Sequence, residues 1–409
     1  MRICHVSNLY PPDVLGGAEL VVSHLAQGLR GAGHDVAVVA TTRRHQASVG
    51  EVDHIPVYRL PTANIYWAGD APRQSRALKP LWHLLDLWNP VMYARLRRTL
   101  RRLKVDLVHT HNLGGFSPSA WSAAAAEGLP IVHTPHDHAL TCVRAIRMTR
   151  AGDLCERQCL DCAVRSRWSR RLSGAVSGVS APSRFVMARH RELGFFPDAW
   201  AAVVPWGLPP DVAQWLASVS PHRPAAGSRR GPVRFLSLGG LVPHKGIGVV
   251  LEAFRRVTTA EARLDIAGAG ELADACAKAA RQDSRIRFHG FVSGAEKDDL
   301  FEASDVVLLP SLCWEVVGIV ILEALGHGRP VIASRVGGIP EFVDEGHTGF
   351  LVDPGDAAAL AARFEQIAAD PGRLEPMRES CLARAATLTL EHTLKGLVEV
   401  YETVLSRRR

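Results

Sequence analysis

Short runs of Val, Ile and Leu recur along the chain, each closing on a small or polar residue. In the first half they are RICHVSN, DVAVVAT, VDLVHTH and PIVHTP; in the second, VRFLSLGG, RLDIAGAG, RIRFHG, DVVLLP and PVIAS. Continuous apolar runs of this length read as strands buried on both faces. Between them the apolar positions return every three or four residues, as in GAELVVSHLAQGLRGAG and IGVVLEAFRRV, the spacing of amphipathic helices. Strand alternating with helix predicts an α/β fold with parallel, doubly wound sheets, and two such series predict two similar domains.

The segments PWGLPPD (205–211) and SPHRPAAGSRRGP (220–232) are rich in Pro, Gly, Ser and Arg, which suits a linker. We therefore expect a first domain at 1–205, a linker at 206–231 and a second domain at 232–388. The last stretch, 389–409, with LEHTLKGLVEVYETVLSRRR, reads as an amphipathic terminal helix.

Length agrees with that division, since 409 residues exceed one ordinary core. No apolar run reaches the roughly 18–20 residues of a spanning helix. The opening MRICHVSNLYPP reads as a first strand, its apolar stretch being too short for an export signal. With eight cysteines in so long a chain, reduced thiols and a cytoplasmic location are expected.

The net charge of +7 is concentrated in YARLRRTLRRLK (93–104) and the terminal SRRR. Leu96, Leu100 and Leu103 fall on one side of the first segment, so it reads as a core-packing helix with a solvated basic face. Peripheral contact with the anionic inner face of a membrane is the alternative. Nucleic acid is not expected as a partner, because no recognised module or interleaved aromatic pattern accompanies the charge. The aromatics Tyr66, Trp67, Trp82 and Trp88 read as core or subunit packing, with an acceptor-binding wall or a membrane patch as alternatives.

Open parallel sheets bind ligands beyond the carboxyl ends of their strands, where helix N-termini point at phosphates. Gly16 and Gly17 open the first helix, GGLVPHKG (239–246) follows the first strand of the second domain, and AGAGE (267–271) and VGGIPE (336–341) make further turns. None is specific alone, and neither GxGxxG nor GxxxxGK[ST] occurs. CWEVVGIVILEALGHGRP (313–330) narrows the choice by setting Glu315 and Glu323 in an apolar run. A buried carboxylate is costly unless paired. Glu315 falls in a strand-to-helix loop and Glu323 just over a turn into the helix, where a carboxylate can grip vicinal ribose hydroxyls. On the plainer reading, one of the two is an ordinary helix-surface residue.

Cys142, Cys155, Cys159 and Cys162 crowd into a stretch with little apolar periodicity, with C-x12-C-x3-C-x2-C spacing. Four thiolates suit a tetrahedral structural zinc. An iron–sulfur cluster fits the ligand type but suits the context less, and the alternative is four free thiols. Cys4, Cys276, Cys313 and Cys381 read as buried small hydrophobes.

The segment SLCWEVVGIVILEALGHGRPVIASRVGGIPEFVDEGHTGFLVDPGD closely resembles the donor-binding region of the retaining glycosyltransferases of family four, which have the GT-B fold. The likeness continues through LGGLVPHKGIGVVLEAF, LDIAGAGE, IRFHGFVS and ASDVVLLPS. In the first domain PPDVLGGAELVVSHLAQGLRGAGHDVAVV, VDLVHTHN and SAPSRF fit as well. It implies two Rossmann-like domains facing a cleft, the first binding acceptor and the second donor, with the terminal helix returning to the first. Glu323 would hold the donor's ribose, Glu315 would sit beside the transferred sugar, and Lys245 would clamp the diphosphate with the amides of Gly16, Gly17 and Gly338. His111 would lie against sugar and acceptor, and the backbone near His289, Gly290 and Phe291 against the base. His136 and Asp137 would face the acceptor side, and the insertion at about 138–166 matches a cysteine-bearing segment of some members.

Where family members commonly carry an Arg, this chain has Gly240; His244 and Arg335 are candidate substitutes, each also readable as a surface residue. The implied partners are a nucleotide-sugar donor and a glycan, lipid-linked or small-molecule acceptor, as in polysaccharide biosynthesis, with no cofactor needed for catalysis. Closure of the two domains would exclude water. Two other readings stand beside transfer. One is a different GT-B enzyme, a nucleotide-sugar epimerase or phosphorylase; the other is a non-catalytic nucleotide-sugar-binding scaffold.

Overall fold

The computed structural model describes residues 1–149, 151–218 and 231–407. Most of the Pro- and Arg-rich stretch expected as linker, and the last two arginines of the terminal SRRR, lie outside the described residues. The chain divides into two compact units. One comprises 1–147, 155–206 and the stretch from Leu390; the other comprises 148–154 and 207–389.

The sheet of the first unit is built from β1 (Arg2–Ser7), β2 (Asp35–Thr42), β3 (Ser48–Val52), β4 (Ile55–Pro61), β5 (Leu107–Thr110), β6 (Ile131–His133), β7 (Gly178–Ala181) and β8 (Trp200–Val203). Its order is β3-β4-β2-β1-β5-β6-β7-β8. Every pairing is parallel except the edge hairpin β3–β4. Side chains alternate between two cores, as period-2 geometry requires. Ile3, Val36 and Val38 face one with the helix Gly17–Gly31, while Cys4, Val6 and Val108 face the other with Trp121. The basic segment is the helix Pro90–Leu103, with Met92, Leu96 and Leu100 buried and its arginines around them, as the spacing predicts. Trp67 and Trp82 are buried, whereas Trp88 is exposed.

The terminal helix Leu390–Ser406 belongs to this first core. Leu397, Val400, Tyr401 and Val404 pack with Val22, Leu25 and Leu29. It lies so close to β7 that a Cβ on Gly178 would come within 2.5 Å of Val404 Cγ2.

The second unit carries β9 (Val233–Leu238), β10 (Ala262–Ala267), β11 (Ile286–Gly290), β12 (Val306–Leu309), β13 (Val331–Ser334) and β14 (Gly349–Val352), all parallel, in the order β11-β10-β9-β12-β13-β14. Phe235, Leu264, Ile266 and Leu308 meet Val250 and Phe254 of the helix Ile247–Arg256 and Leu360 and Phe364 of the helix Ala357–Ala369.

Two readings of the sequence need correction. The apolar runs identify nine strands, but the sheets also contain β3, β4, β7, β8 and β14. Length does not set them apart, since β5, β12 and β13 are also four residues; β7 (GVSA) and β8 (WAAV) consist largely of small residues, and β3 (SVGEV) and β4 (IPVYRLP) break their apolar runs with polar residues or proline. The segment PWGLPPD is only partly a connection, because a helix begins at Pro210 and runs to Ser218. Pro at the first helical position and Asp beside it are start signals as well as linker composition. The buried Val212 of this helix packs where Gly326 leaves room, a Cβ there reaching 2.3 Å from Val212 Cγ1.

Candidate active site

In an open α/β sheet the ligand crevice forms at the carboxyl edge where strand order reverses, because the connections on either side turn away and leave a gap. In the second sheet that point lies between β9 and β12. After β9 the chain makes a short turn, Pro243–Lys245, and passes through Gly246 into the helix Ile247–Arg256. Gly246 has φ of 79°, and a Cβ there would stand 1.8 Å from the Pro310 carbonyl oxygen. This turn is thus pressed onto the chain leaving β12, and the amide of Leu312 donates to the carbonyl of His244 at 2.9 Å.

The result is a compact polar cluster. Lys245 Nζ lies 2.6 Å from Glu315 Oε1, and Ser311 Oγ donates to the same oxygen at 2.6 Å. Burial pushes the Glu315 carboxyl up, but Lys245 and Ser311 outweigh it and hold the group below its usual value. Burial likewise disfavours the Lys245 ammonium, and Glu315 outweighs that and raises it. Both are therefore charged at neutral pH. The Lys245 side chain keeps 37% exposure against 11% for Glu315, so the ammonium is the member open to an incoming anion. The carbonyl of Glu315 accepts the Gly338 amide at 2.8 Å, and Gly337, with φ of 63°, leaves no room there for a side chain.

Glu323 is the fifth residue of the helix Ile319–Gly326 and is buried. Lys297 donates to its Oε1 at 2.8 Å and to Asp211 Oδ2 at 3.3 Å. Burial still leaves the Glu323 carboxyl above its usual value, Lys297 offsetting only part of the effect. At the end of β11, His289 Nε2 sits 2.7 Å from Asp265 Oδ1, the Gly290 carbonyl accepts the Gly268 amide at 2.6 Å, and Phe291 is 74% exposed. Arg335 is paired with Glu345 at 3.5 Å.

In the first sheet the order reverses between β1 and β5. His5 comes from β1 and His109 from β5, with His111 immediately after it, all buried. His5 Nδ1 is 2.9 Å from His111 Nε2, and His111 Nδ1 is 2.8 Å from His136 Nε2. His109 is held by Tyr401 Oη at 2.7 Å and Thr134 Oγ1 at 2.8 Å. Burial lowers His5 and His136 to about 3, and lowers His109 and His111 well below the usual imidazole value, so the rings are neutral. One nitrogen each of His5, His109 and His111 lies within 4.8 Å of the others, close enough for an ion. Both ring nitrogens of His109 and of His111 are already engaged, however, and we read the group as a hydrogen-bonded stack.

His111 and His136 reach the wall of a cavity of about 210 Å³, also lined by Trp82, Asp86, Asp137 and Arg165. Burial pushes Asp86 up to about 7, countered by Arg165 at 3.9 Å and by the Gly115 amide. Burial pushes Asp137 to about 6, countered by the Ala139 amide at 2.6 Å. At the start of the first helix the Gly16 amide donates to Glu19 at 2.9 Å in a capping box, so that donor is already engaged.

The insertion brings its cysteines to one region. Cys159 caps the helix Leu160–Leu172, Cys162 lies in its first turn, and the Val143 amide donates to Cys162 Sγ at 3.4 Å. Arg147 lies within electrostatic reach of Cys142, Cys155 and Cys162. All eight cysteines are free thiols, and Cys4, Cys276, Cys313 and Cys381 are buried as their setting predicts.

Lys297, Asp86, Arg165 and His5 are absent from the expectations drawn from sequence. Their partners lie 26, 79 and 106 residues away, for Lys297 with Glu323, Arg165 with Asp86 and His5 with His111, and no local signal marks them.

Two doubly wound units, each with polar side chains gathered where its strand order reverses, have the architecture of GT-B proteins. The chain belongs to the group 1 glycosyltransferases: the family described as Glycosyl transferases group 1 matches residues 232–370, and Glycosyltransferase Family 4 matches residues 15–212. It is 30% identical over 393 residues to a glycogen synthase of Mycobacterium tuberculosis, covering 91% of this chain and 87% of that one. It is 28% identical to the phosphatidyl-myo-inositol mannosyltransferase of Mycobacterium leprae, over 97% of this chain and 95% of the other. Among solved structures, Anabaena HepE in complex with UDP superposes with a TM-score of 0.71 at 19% identity, covering 98% of this chain and 100% of that one.

Proposed function

We propose that this glycosyltransferase takes its sugar from a nucleoside-diphosphate donor bound by the second unit and transfers it with retention to a glycan, lipid-linked or small-molecule hydroxyl. The observation that carries this reading is the Lys245–Ser311–Glu315 cluster at the β9/β12 reversal. On donor binding the Lys245 ammonium meets the diphosphate, leaving the Glu315 carboxylate to the hydroxyls of the sugar. Glu323, positioned by Lys297, takes the ribose, and the strand end at Gly290 and Phe291 takes the base. The HepE structures with UDP and UDP-glucose support a donor of this class.

In the reaction the bond from the anomeric carbon to the phosphate oxygen breaks and the acceptor oxygen forms the new bond on the same face. The acceptor's proton passes to the departing phosphate. Charge grows on that phosphate in an oxocarbenium-like transition state, so a fixed ammonium lowers the barrier more than it aids ground-state binding. His111 and His136, neutral at working pH, orient the acceptor side and do not act as nucleophiles. The test is to identify by thermal shift which nucleoside diphosphate stabilises the protein, then to follow the matching sugar donor by NMR. Product with the donor's anomeric configuration supports the reading. An inverted product, or nucleotide binding with no turnover on any acceptor class, sinks it.

We further propose that Cys142, Cys155, Cys159 and Cys162 hold a structural zinc. Donor number and type support it, as does the placement of Cys159 and Cys162 at a helix start. No three of these sulfurs already lie within 4.8 Å of one another, so the ion would have to draw them together. Metal analysis of protein purified under reducing, chelator-free conditions should give about one zinc per chain; a value near zero discards the site.

A further inference from the structure

Nine of the fifteen large apolar side chains that are exposed among the described residues fall in two segments of the first unit. One holds Leu78, Leu81, Leu84, Leu85, Trp88 and Val91; the other is the helix Leu160–Leu172, with Leu160 at 78%, Val164 at 66% and Trp168 at 44% exposure. The buried side chains of that helix are Cys162, Ser166 and Ser169. It therefore turns small and polar residues inward and large apolar ones to solvent, the reverse of an ordinary surface helix.

At about 100° per residue, Arg167, Leu160, Arg171, Val164 and Trp168 fall within an arc of roughly 100°. Cation and apolar side chain thus alternate on one outward face. From 156 to 172 the sequence has five arginines against Glu156 and Asp161. The two segments flank a single opening: Trp82 and Asp86 of the first, and Arg165 and Ser169 of the second, line the 210 Å³ cavity, with Arg165 and Asp86 3.9 Å apart.

We propose that this double-helix rim is a docking surface for an anionic lipid bilayer. Leu, Val and Trp would enter the headgroup boundary, and Arg167 and Arg171 would meet lipid phosphates. Apolar side chains interleaved with arginine, with Trp at the margin, match such an interface in both charge and polarity. The sequence offers the basic helix and the aromatic stretch as alternatives for membrane contact, and this surface includes Trp88 of the second but not the first. The helix Pro90–Leu103 buries Leu96 and Leu100, half-buries Leu103 and, beyond Val91, presents no large exposed apolar side chain. Docked this way, the cavity would open toward headgroups, which favours a lipid-linked acceptor; that last step rests on the transferase reading.

The full-length protein is sedimented with vesicles of phosphatidylcholine alone or with about one third phosphatidylglycerol, without donor or acceptor, so failure here leaves the transferase reading intact. We expect at least tenfold stronger partitioning onto the anionic vesicles, weakening as salt is raised. Both L160S/V164S/W168S and R167S/R171S should lose about tenfold, while V49S, on an exposed edge strand, should not change. Thermal melts confirm that the variants are folded. No partitioning, equal partitioning onto neutral vesicles, or folded variants that bind like the parent would overturn the proposal. So would a soluble dimer, seen by light scattering, that the same variants break while vesicles are ignored.

Discussion

Lys245 and Glu315 are seventy residues apart in the chain and 2.6 Å apart in the fold. Removing the cation does two separable things: it withdraws charge from the departing diphosphate, and it leaves a buried carboxylate with Ser311 but no counter-ion. Lys245→Ala should lower kcat by on the order of 10²–10³ and lower Tm as well. In Lys245→Ala/Glu315→Gln the stability should return while turnover stays low, because the buried charge has gone with its partner. A double variant that regained turnover would mean that Lys245 serves only to neutralise Glu315. Both glutamates were legible as unusual because carboxylates in an apolar run need a reason. Their cations differ in legibility: Lys245 stood out in a Gly-rich turn, whereas Lys297 occupies an unremarkable helical position and acquires its role only by facing Glu323.

At the scale of elements, the site depends on how tightly the turn after β9 lies against the end of β12. Gly246→Ala would need a left-handed backbone and would put a Cβ 1.8 Å from the Pro310 oxygen. A loss of about 3 kcal/mol is expected in denaturant melts. Gly50→Ala, at an exposed strand position with nothing within 4 Å, should stay within about 0.5 kcal/mol. Equal effects at the two positions would mean that this approach does not hold the turn. Strands with an unbroken Val, Ile or Leu run announced themselves even at four residues, as β12 (VVLL) did, whereas β7 (GVSA) and β8 (WAAV), made largely of small residues, did not. Their pairing energy comes from neighbours already in the sheet and leaves little trace in their own pattern.

For the whole molecule, acid should be destabilising well before ordinary carboxylates protonate. His5, His109, His111, His133 and His136 are all lowered by burial, so between about pH 4 and 6.5 the unfolded chain binds protons that the native state refuses, and stability falls as pH falls. Asp86 and Asp137 act oppositely: raised to about 7 and about 6, they keep protons in the native state that the unfolded chain has released. His83, His190 and His327, each lowered to about 4 by burial, add to the first set, so the lowered imidazoles outnumber the raised carboxyls and the net slope is toward lower stability in acid. Urea midpoints measured from pH 7 to 5 should therefore fall, and a flat profile would show that the histidines are not buried neutral in solution.

The sequence by itself determined the α/β class, the two-domain division, the family, and Lys245, Glu315, Glu323 and His111 as candidate site residues. All of these rest on periodicity or on short contiguous motifs, where the chain carries its own signal. The tertiary structure alone decided the order of the strands, and with it the two reversals where side chains gather. It also decided the histidine stack fixed by Tyr401 of the terminal helix, the Asp86–Arg165 cavity and the outward-facing apolar helix. These are relations between residues far apart in sequence, and they come into being only when packing sets which face of each element is hidden and which meets solvent.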